Sequence, residues 1–409
     1  MTNFTKRINN VLGPGFLIAA TGVGAGDMIA ATVAGARFGH VVLWACIVGA
    51  VFKYVLNEGV ARWQLATKTT LLEGWVKRFH SLISIYFTVY LFIWSFIVAG
   101  ALMAACGLVA HTIFPQLSIE SWGIIHSILA VLLVLIGKYR FLENIMKVFI
   151  VLMFSTVIIN LFIIDVEWGA ILKSAVLPRI PEGSIELILG VIGGVGGSVT
   201  MLCYNYWIRE KGWNEIGGIS KIKIDLKIAY MLTGLFGVAI IVLASSVNPE
   251  VVSGSKIILG LADKLAETVG TSGKWIFMVG FWGAVFSSML GVWNGIPYIF
   301  NDLVVSYRNR KGITKNAEVN TKSNYYRLFL CYLAFPPMLL LFLDKPVWII
   351  VLYSIVGAFF MPFLASLLLI MNTKISWVKN YRNKWYTNVL LSLSILLFLY
   401  LLIQEILKI

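Results

Sequence analysis

The chain has 409 residues, of which 59% are hydrophobic and 13% are charged. A soluble domain keeps roughly 25% charged residues, so this composition excludes an ordinary water-facing surface and puts most of the exterior against lipid. The formal net charge of +14 raises nucleic-acid binding as a function class, which the placement of the basic residues then argues against.

Apolar stretches recur from residue 12 to the C-terminus, each long enough to cross about 30 Å of hydrocarbon. They predict an all-α polytopic membrane protein with about eleven spans: 12–36, 40–66, 82–110, 122–137, 142–164, 184–207, 226–246, 275–305, 326–343, 347–371 and 385–406. No short apolar region with a small-residue cleavage site opens the chain, so the first helix is expected to be retained. With the N-terminus placed in the cytoplasm, 23 lysines and arginines fall on the inner side and 8 on the outer. That bias is the positive-inside signature. It predicts a multi-pass protein of the cell (inner) membrane with the N-terminus inside and the C-terminus outside. The basic excess is then a matter of topology, and no nucleic-acid partner is expected; the bilayer is. Outer loops are expected at 165–183 and 247–274, and a polar inner loop at 308–327. Cys46, Cys106, Cys203 and Cys331 lie in separate apolar segments without CxxC spacing, which suits small core residues.

Two spans differ from the rest. The first contains TGVGAGD (21–27), and the sixth contains GVIGGVGGSVTML (190–202), with glycine at 190, 193, 194, 196 and 197. Glycine costs a helix interior roughly 1 kcal/mol relative to alanine. Unwound backbone is tolerated in a membrane where it lines a protein cavity, and interrupted segments at matching places in two halves point to a transporter's binding site. Spans one and six are related in this way if residues 12–164 and 184–371 are two inverted five-helix repeats and 385–406 is an addition. The competing explanation is close helix packing, because Gly22 with Gly26 and Gly190 with Gly194 have GxxxG spacing. Asp27 stands near mid-depth, where a carboxylate needs a cavity, a partner or a proton.

The residues resemble a known family at this point. GPGFLIAATGVGAGDMIAATVAGARFGHVVLW (13–44) is similar to the first span of Nramp divalent-metal transporters. NEGVARWQLATKTTLLE (57–73), MAACGL (103–108), FSSMLGVWNG (286–295) and FFMPFLASLLLIMNTK (359–374) resemble the second, third, eighth and tenth spans. The resemblance implies a leucine-transporter-type fold of 5+5 inverted repeats with helices 1 and 6 broken. The family's DPGN segment aligns with Gly24, Ala25, Gly26 and Asp27, which puts glycine at the liganding aspartate position and Asp27 at the liganding asparagine position. In span six the family's alanine carbonyl, methionine thioether and histidine align with Gly197, Thr200 and Leu202. The acidic proton-pathway positions of span three fall near Ile97 and Gly100. A thioether favours transition metals, whereas a hydroxyl is a hard ligand, and Mg²⁺ often keeps several waters and uses one or two carboxylates. If a divalent metal binds, a hydrated hard cation therefore fits this set better than Mn²⁺ or Fe²⁺.

The expected function is an Nramp-like secondary transporter moving a cation, a divalent metal ion first, by alternating access. The expected ligands are Asp27 and Thr200, with Gly24 and Gly197 carbonyls and Ser198, Ser288 and Asn294 nearby. One alternative keeps the fold and carries an amino acid or another small organic solute, with Tyr204, Tyr206 and Trp207 available to line the pocket. Another is a membrane sensor or assembly subunit. No cofactor is expected, and an enzyme is the least favoured class. His40, His80, His111 and His126 are scattered without metal-ligand spacing. Glu58, KYRFLEN (138–144) and WIREKGW (207–213) place charge near inner span ends, as interface anchors ahead of gate salt bridges.

Overall fold

The structure, a computed structural model, describes residues 13–137, 139–164, 166–213, 218–247, 256–314, 319–343 and 346–407. Every regular element among the described residues is helical. Hydrocarbon offers no partner to backbone N–H and C=O groups, and a helix satisfies them within its own segment.

The first span is two pieces, α1 (Pro14–Gly22) and α2 (Ala25–Phe38). Then come α3 (Trp44–Thr67), a short α4 (Leu71–Arg78), α5 (Ser81–Ile113), α6 (Ile119–Ile136), α7 (Tyr139–Ile163) and α8 (Trp168–Val176). The sixth span is also in pieces: α9 (Ile185–Gly194), a 3-10 turn at Val199–Cys203, and α10 (Tyr204–Glu210). The remainder is α11 (Gly218–Val247), α12 (Lys256–Val269), α13 (Thr271–Arg310), α14 (Asn324–Ala334) with a 3-10 stretch at Pro336–Leu343, α15 (Pro346–Thr373), α16 (Ile375–Val378) and α17 (Trp385–Ile406). Each expected span has helix at its place. Among the described residues eight helices are long and apolar enough to cross alone, or nine if the pair bent by 78° at residue 374 is one span. The broken sixth span counts among the eight as Ile185–Glu210, whereas the first and last spans contribute only the shorter apolar helices Met28–Val42 and Trp385–Leu401.

Burial sorts these helices into a centre and a rim. The apolar window of the sixth span is 100% buried, against 28% for α6 and 33% for α7. Spans one and six therefore lie inside the bundle, enclosed by α3, α5, α11, α13 and α15, while α6 and α7 turn apolar faces such as Leu132, Val148 and Phe162 outward.

Several expectations are corrected here. The stretches 165–183 and 247–274, expected as loops, carry the short helices α8 and α12, the latter packed through Leu261, Ala262 and Leu265. The polar loop expected at 308–327 starts after Arg310, because α13 runs 40 residues and includes Arg308 and Arg310 in its last turn; residues 315–318 lie outside the described residues. Cys331 is exposed, unlike the buried Cys46, Cys106 and Cys203. Glu58 is buried and paired, accepting from Arg62 one turn on, with Lys223 at 3.7 Å. Arg62 also donates to the Arg382 carbonyl. Glu143 likewise takes Lys147 and Lys211, each at 2.7 Å. These acids are buried ion-pair centres that tie separate helices together, not interface anchors.

Candidate substrate site at two broken crossings

The glycine clusters end both central helices midway. α1 stops at Gly22, where the Val23 N–H returns to the Ala19 carbonyl, and Val23 and Gly24 form the gap. α2 then begins, with the Gly24 carbonyl accepting the Met28 N–H at 3.1 Å. A helix end leaves carbonyls without intrahelical partners; here α13 supplies them. Ser288 Oγ donates to the Thr21 carbonyl at 2.7 Å, and Ser287 Oγ lies 3.1 Å from that of Ala20.

The second break is sharper. α9 ends at Gly194, and Gly196 and Gly197 follow with φ of +77° and +76°. Two successive residues in that region are accessible to glycine at little cost and to other residues only with strain. The Gly197 N–H closes a turn onto the Gly194 carbonyl, and Ser198 leads into the 3-10 turn.

The two breaks meet backbone to backbone. A Cβ on Gly22 would lie 2.4 Å from the Gly196 carbonyl carbon and 2.7 Å from the Gly197 nitrogen. A Cβ on Gly24 would lie 2.5 Å from Ser288 Oγ, and one on Gly197 would lie 2.2 Å from Thr200 Oγ1. The glycines thus perform both tasks weighed in the sequence: they interrupt the helices and let the interrupted ends touch.

The expected ligand residues separate into three groups. Gly24 with Ser288, and Gly197 with Thr200, gather at the junction, all buried. Ser198 is beside them but faces α15, where a Cβ on Gly357 would lie 2.9 Å from its hydroxyl. Asn294 is not at the junction. It follows Ser288 by six residues in α13, about 9 Å along the axis, and accepts from Trp207 Nε1 at 3.0 Å. Asp27 falls in the first turn of α2; its side chain lies outside the described residues.

Three buried polar groups have no hydrogen-bond partner among the described residues: Ser198 Oγ and the Trp94 indole nitrogen, and Thr21 Oγ1, which packs against Gly291 of α13. Trp94, on α5, approaches the same Gly357 position as Ser198. Leaving such groups unpaired costs about 1–3 kcal/mol each. Trp94 was not singled out in the sequence, where a tryptophan in an apolar helix carries no mark of facing a site. Among the described residues no group of three or more His, Cys, Asp and Glu is placed to hold a metal.

Beyond Asn294 a cavity of about 1060 Å³ opens among α7, α10, α13 and α14. Its wall carries Arg140, Lys147, Lys211, Lys322 and Arg327 against Glu143 and Glu210, with Trp207, Tyr298 and Tyr326. Of the three aromatic residues suggested for a pocket, only Trp207 is part of this wall. Tyr204 and Tyr206 are buried, their hydroxyls donated to Asp225 at 2.8 Å and Asp302 at 2.7 Å. Asp225, on α11, also accepts the Gly13 N–H at 3.0 Å and the Gly15 N–H at 2.6 Å. It holds the first turn of α1, where exposed N–H groups favour an anion.

The Nramp family model, described as natural resistance-associated macrophage protein-like, matches residues 15–408. An uncharacterized protein of Pasteurella multocida (strain Pm70) is 24% identical over 294 residues; the match spans 66% of this chain and 66% of that protein, just under two thirds of the relative's length. The fold is similar to that of the Eremococcus coleocola manganese transporter. A histidine-to-alanine variant of it gives a TM-score of 0.74 at 14% identity, covering 98% of this chain and 86% of that one. Its complex with an aromatic bis-isothiourea substituted compound gives 0.72 at 13%, covering 98% and 87%. A nucleobase-cation-symport-1 family transporter, closed with bromovinylhydantoin bound, gives 0.52 at 13%, covering 96% and 92%. The overall arrangement is thus the leucine-transporter type with helices 1 and 6 broken. Proteins with such different ligands share it, so the fold by itself does not choose the cargo.

Proposed function

This chain belongs to the natural resistance-associated macrophage protein-like (Nramp) family, and from that premise we propose that it is a multi-pass transporter moving a divalent metal ion across the cell membrane by alternating access. The observation that carries the proposal is the meeting of two interrupted crossings at Gly22, Gly196 and Gly197 inside the bundle, beside the buried Ser198 hydroxyl and Trp94 indole nitrogen, which have no hydrogen-bond partner among the described residues.

In this reading Asp27 is the charged ligand, and the Thr200 hydroxyl and the Gly197 carbonyl complete the inner contacts. Ser198 and Trp94 face the guest's outer shell. An indole N–H cannot ligate a cation but can donate to a water bound to one, which favours an ion that keeps part of its hydration, such as Mg²⁺. Residues 12–164 and 184–371 act as the two inverted repeats. In this reading the N-terminus and the large cavity face the cytoplasm, the C-terminus faces outside and the cavity is the inner vestibule, an orientation the charge bias supports.

The test is uptake into proteoliposomes of Mg²⁺, Mn²⁺ and Ca²⁺ by the wild type and by Asp27→Ala. Saturable uptake of at least one of these ions by the wild type, lost in a folded Asp27→Ala, is the expected result. Undiminished uptake by that variant removes the assignment.

A second reading, transport of an amino acid or similar solute, draws on the vestibule wall, where cationic side chains outnumber carboxylates and aromatic rings are present. Thermal stabilisation by an amino acid but by no divalent metal selects it.

A further inference from the structure

Of the 33 lysines and arginines, 23 are assigned to the inner side and 8 to the outer, and the remaining two, Lys53 and Lys147, lie within spans. Lys147 is partly exposed and paired with Glu143. Lys53 is different. It is the tenth residue of the 24-residue α3 and fully buried, a costly place for a charge in a membrane protein.

Its ammonium donates to the Gly193 carbonyl at 2.6 Å. Gly193 is the penultimate residue of α9, so this carbonyl belongs to the last turn, which a helix leaves without intrahelical acceptance and where its dipole is negative. The approach is built in. Gly49, one turn before Lys53, lies where a Cβ would be 3.2 Å from the Ile192 Cα, so α3 can press against the end of α9. In carriers with broken helices, half-helix C-terminal ends and unwound carbonyls are where a coupling cation is held.

We propose that Lys53 is a covalently tethered cation occupying the cation position at the broken end of α9, so that this chain takes no free Na⁺ or K⁺ there. The consequence for coupling rests on the transporter reading; the occupancy itself does not. Removing the side chain should create a site for a small monovalent cation.

The test is thermal unfolding of the purified full chain in detergent at constant ionic strength, with choline chloride replaced by NaCl, KCl or ethylammonium chloride. Wild type and Lys53→Arg should each melt at one temperature in all four salts. Lys53→Ala should melt lower in choline and regain at least about 2 °C with one or more of the small cations. A folded Lys53→Ala that gains nothing from any of them overturns the proposal. So does a wild type that melts higher in Na⁺ or K⁺ than in choline, an arm that needs no variant to fold. Because the readout is unfolding, its failure is separate from absence of uptake in proteoliposomes, which would count against transport alone.

Discussion

Gly22→Ala puts one methyl group between the two breaks. The added Cβ would lie 2.4 Å from the Gly196 carbonyl carbon, 2.6 Å from its Cα and 2.7 Å from the Gly197 nitrogen. Carbon atoms are comfortable at about 3.5–4.0 Å, so the half-helices must separate by about 1 Å. All three obstructing atoms are backbone, and no rotamer change relieves the clash. Overpacking of this kind costs about 1–3 kcal/mol, and the better helix propensity of alanine returns at most about 1 kcal/mol. The expected net loss is about 1–2 kcal/mol, seen as a melting temperature lowered by about 1–2 °C in detergent, with uptake reduced because the junction no longer closes. Gly169→Ala is the control, since a Cβ there meets nothing within 4 Å, and it should melt like the wild type. A Gly22→Ala protein with wild-type melting and uptake would refute the backbone contact on which the site is built.

Gly197→Ala combines left-handed backbone at φ +76° with a Cβ 2.2 Å from Thr200 Oγ1. It should cost at least about 1–2 kcal/mol, and adding Thr200→Ala should recover the steric part alone; full recovery in chemical-denaturation or melting curves would show that the backbone carries no strain. Ser288→Ala removes the hydroxyl that caps the Thr21 carbonyl and should lower stability by about 1 kcal/mol, with an unchanged melting temperature counting against that cap. Asp225→Asn weakens charge-assisted bonds to the Gly13 and Gly15 N–H groups. At about 1.5–3 kcal/mol, backbone hydrogen exchange over α1 should quicken roughly tenfold or more, and unchanged protection would mean that Asp225 does not hold this helix in place.

Much of the molecule follows from local chain properties. Apolar runs of spanning length mark the helices, and lysine and arginine placement suggests their orientation. Clustered glycine marks the stretches 21–27 and 190–202 as weak points, because helix propensity is a property of each residue and its immediate neighbours. The family resemblance is legible for the same reason, in contiguous stretches such as 13–44. What the glycines touch was not legible. That Gly22 meets Gly196, Ser288 meets the Thr21 carbonyl and Trp94 approaches Ser198 depends on chain segments that are far apart in sequence and arrive at one place only when the bundle is packed. Asn294 illustrates the limit: it shares a helix with Ser288, yet the rise of that helix carries it out of the junction and into the wall of the large cavity. Lys53 shows it most plainly. Within its own span it is one charge in an apolar run, and its partner is a carbonyl 140 residues further on. Hydropathy and propensity are summed along the chain, whereas a buried charge or an unpaired hydroxyl acquires its meaning from neighbours that tertiary packing alone supplies.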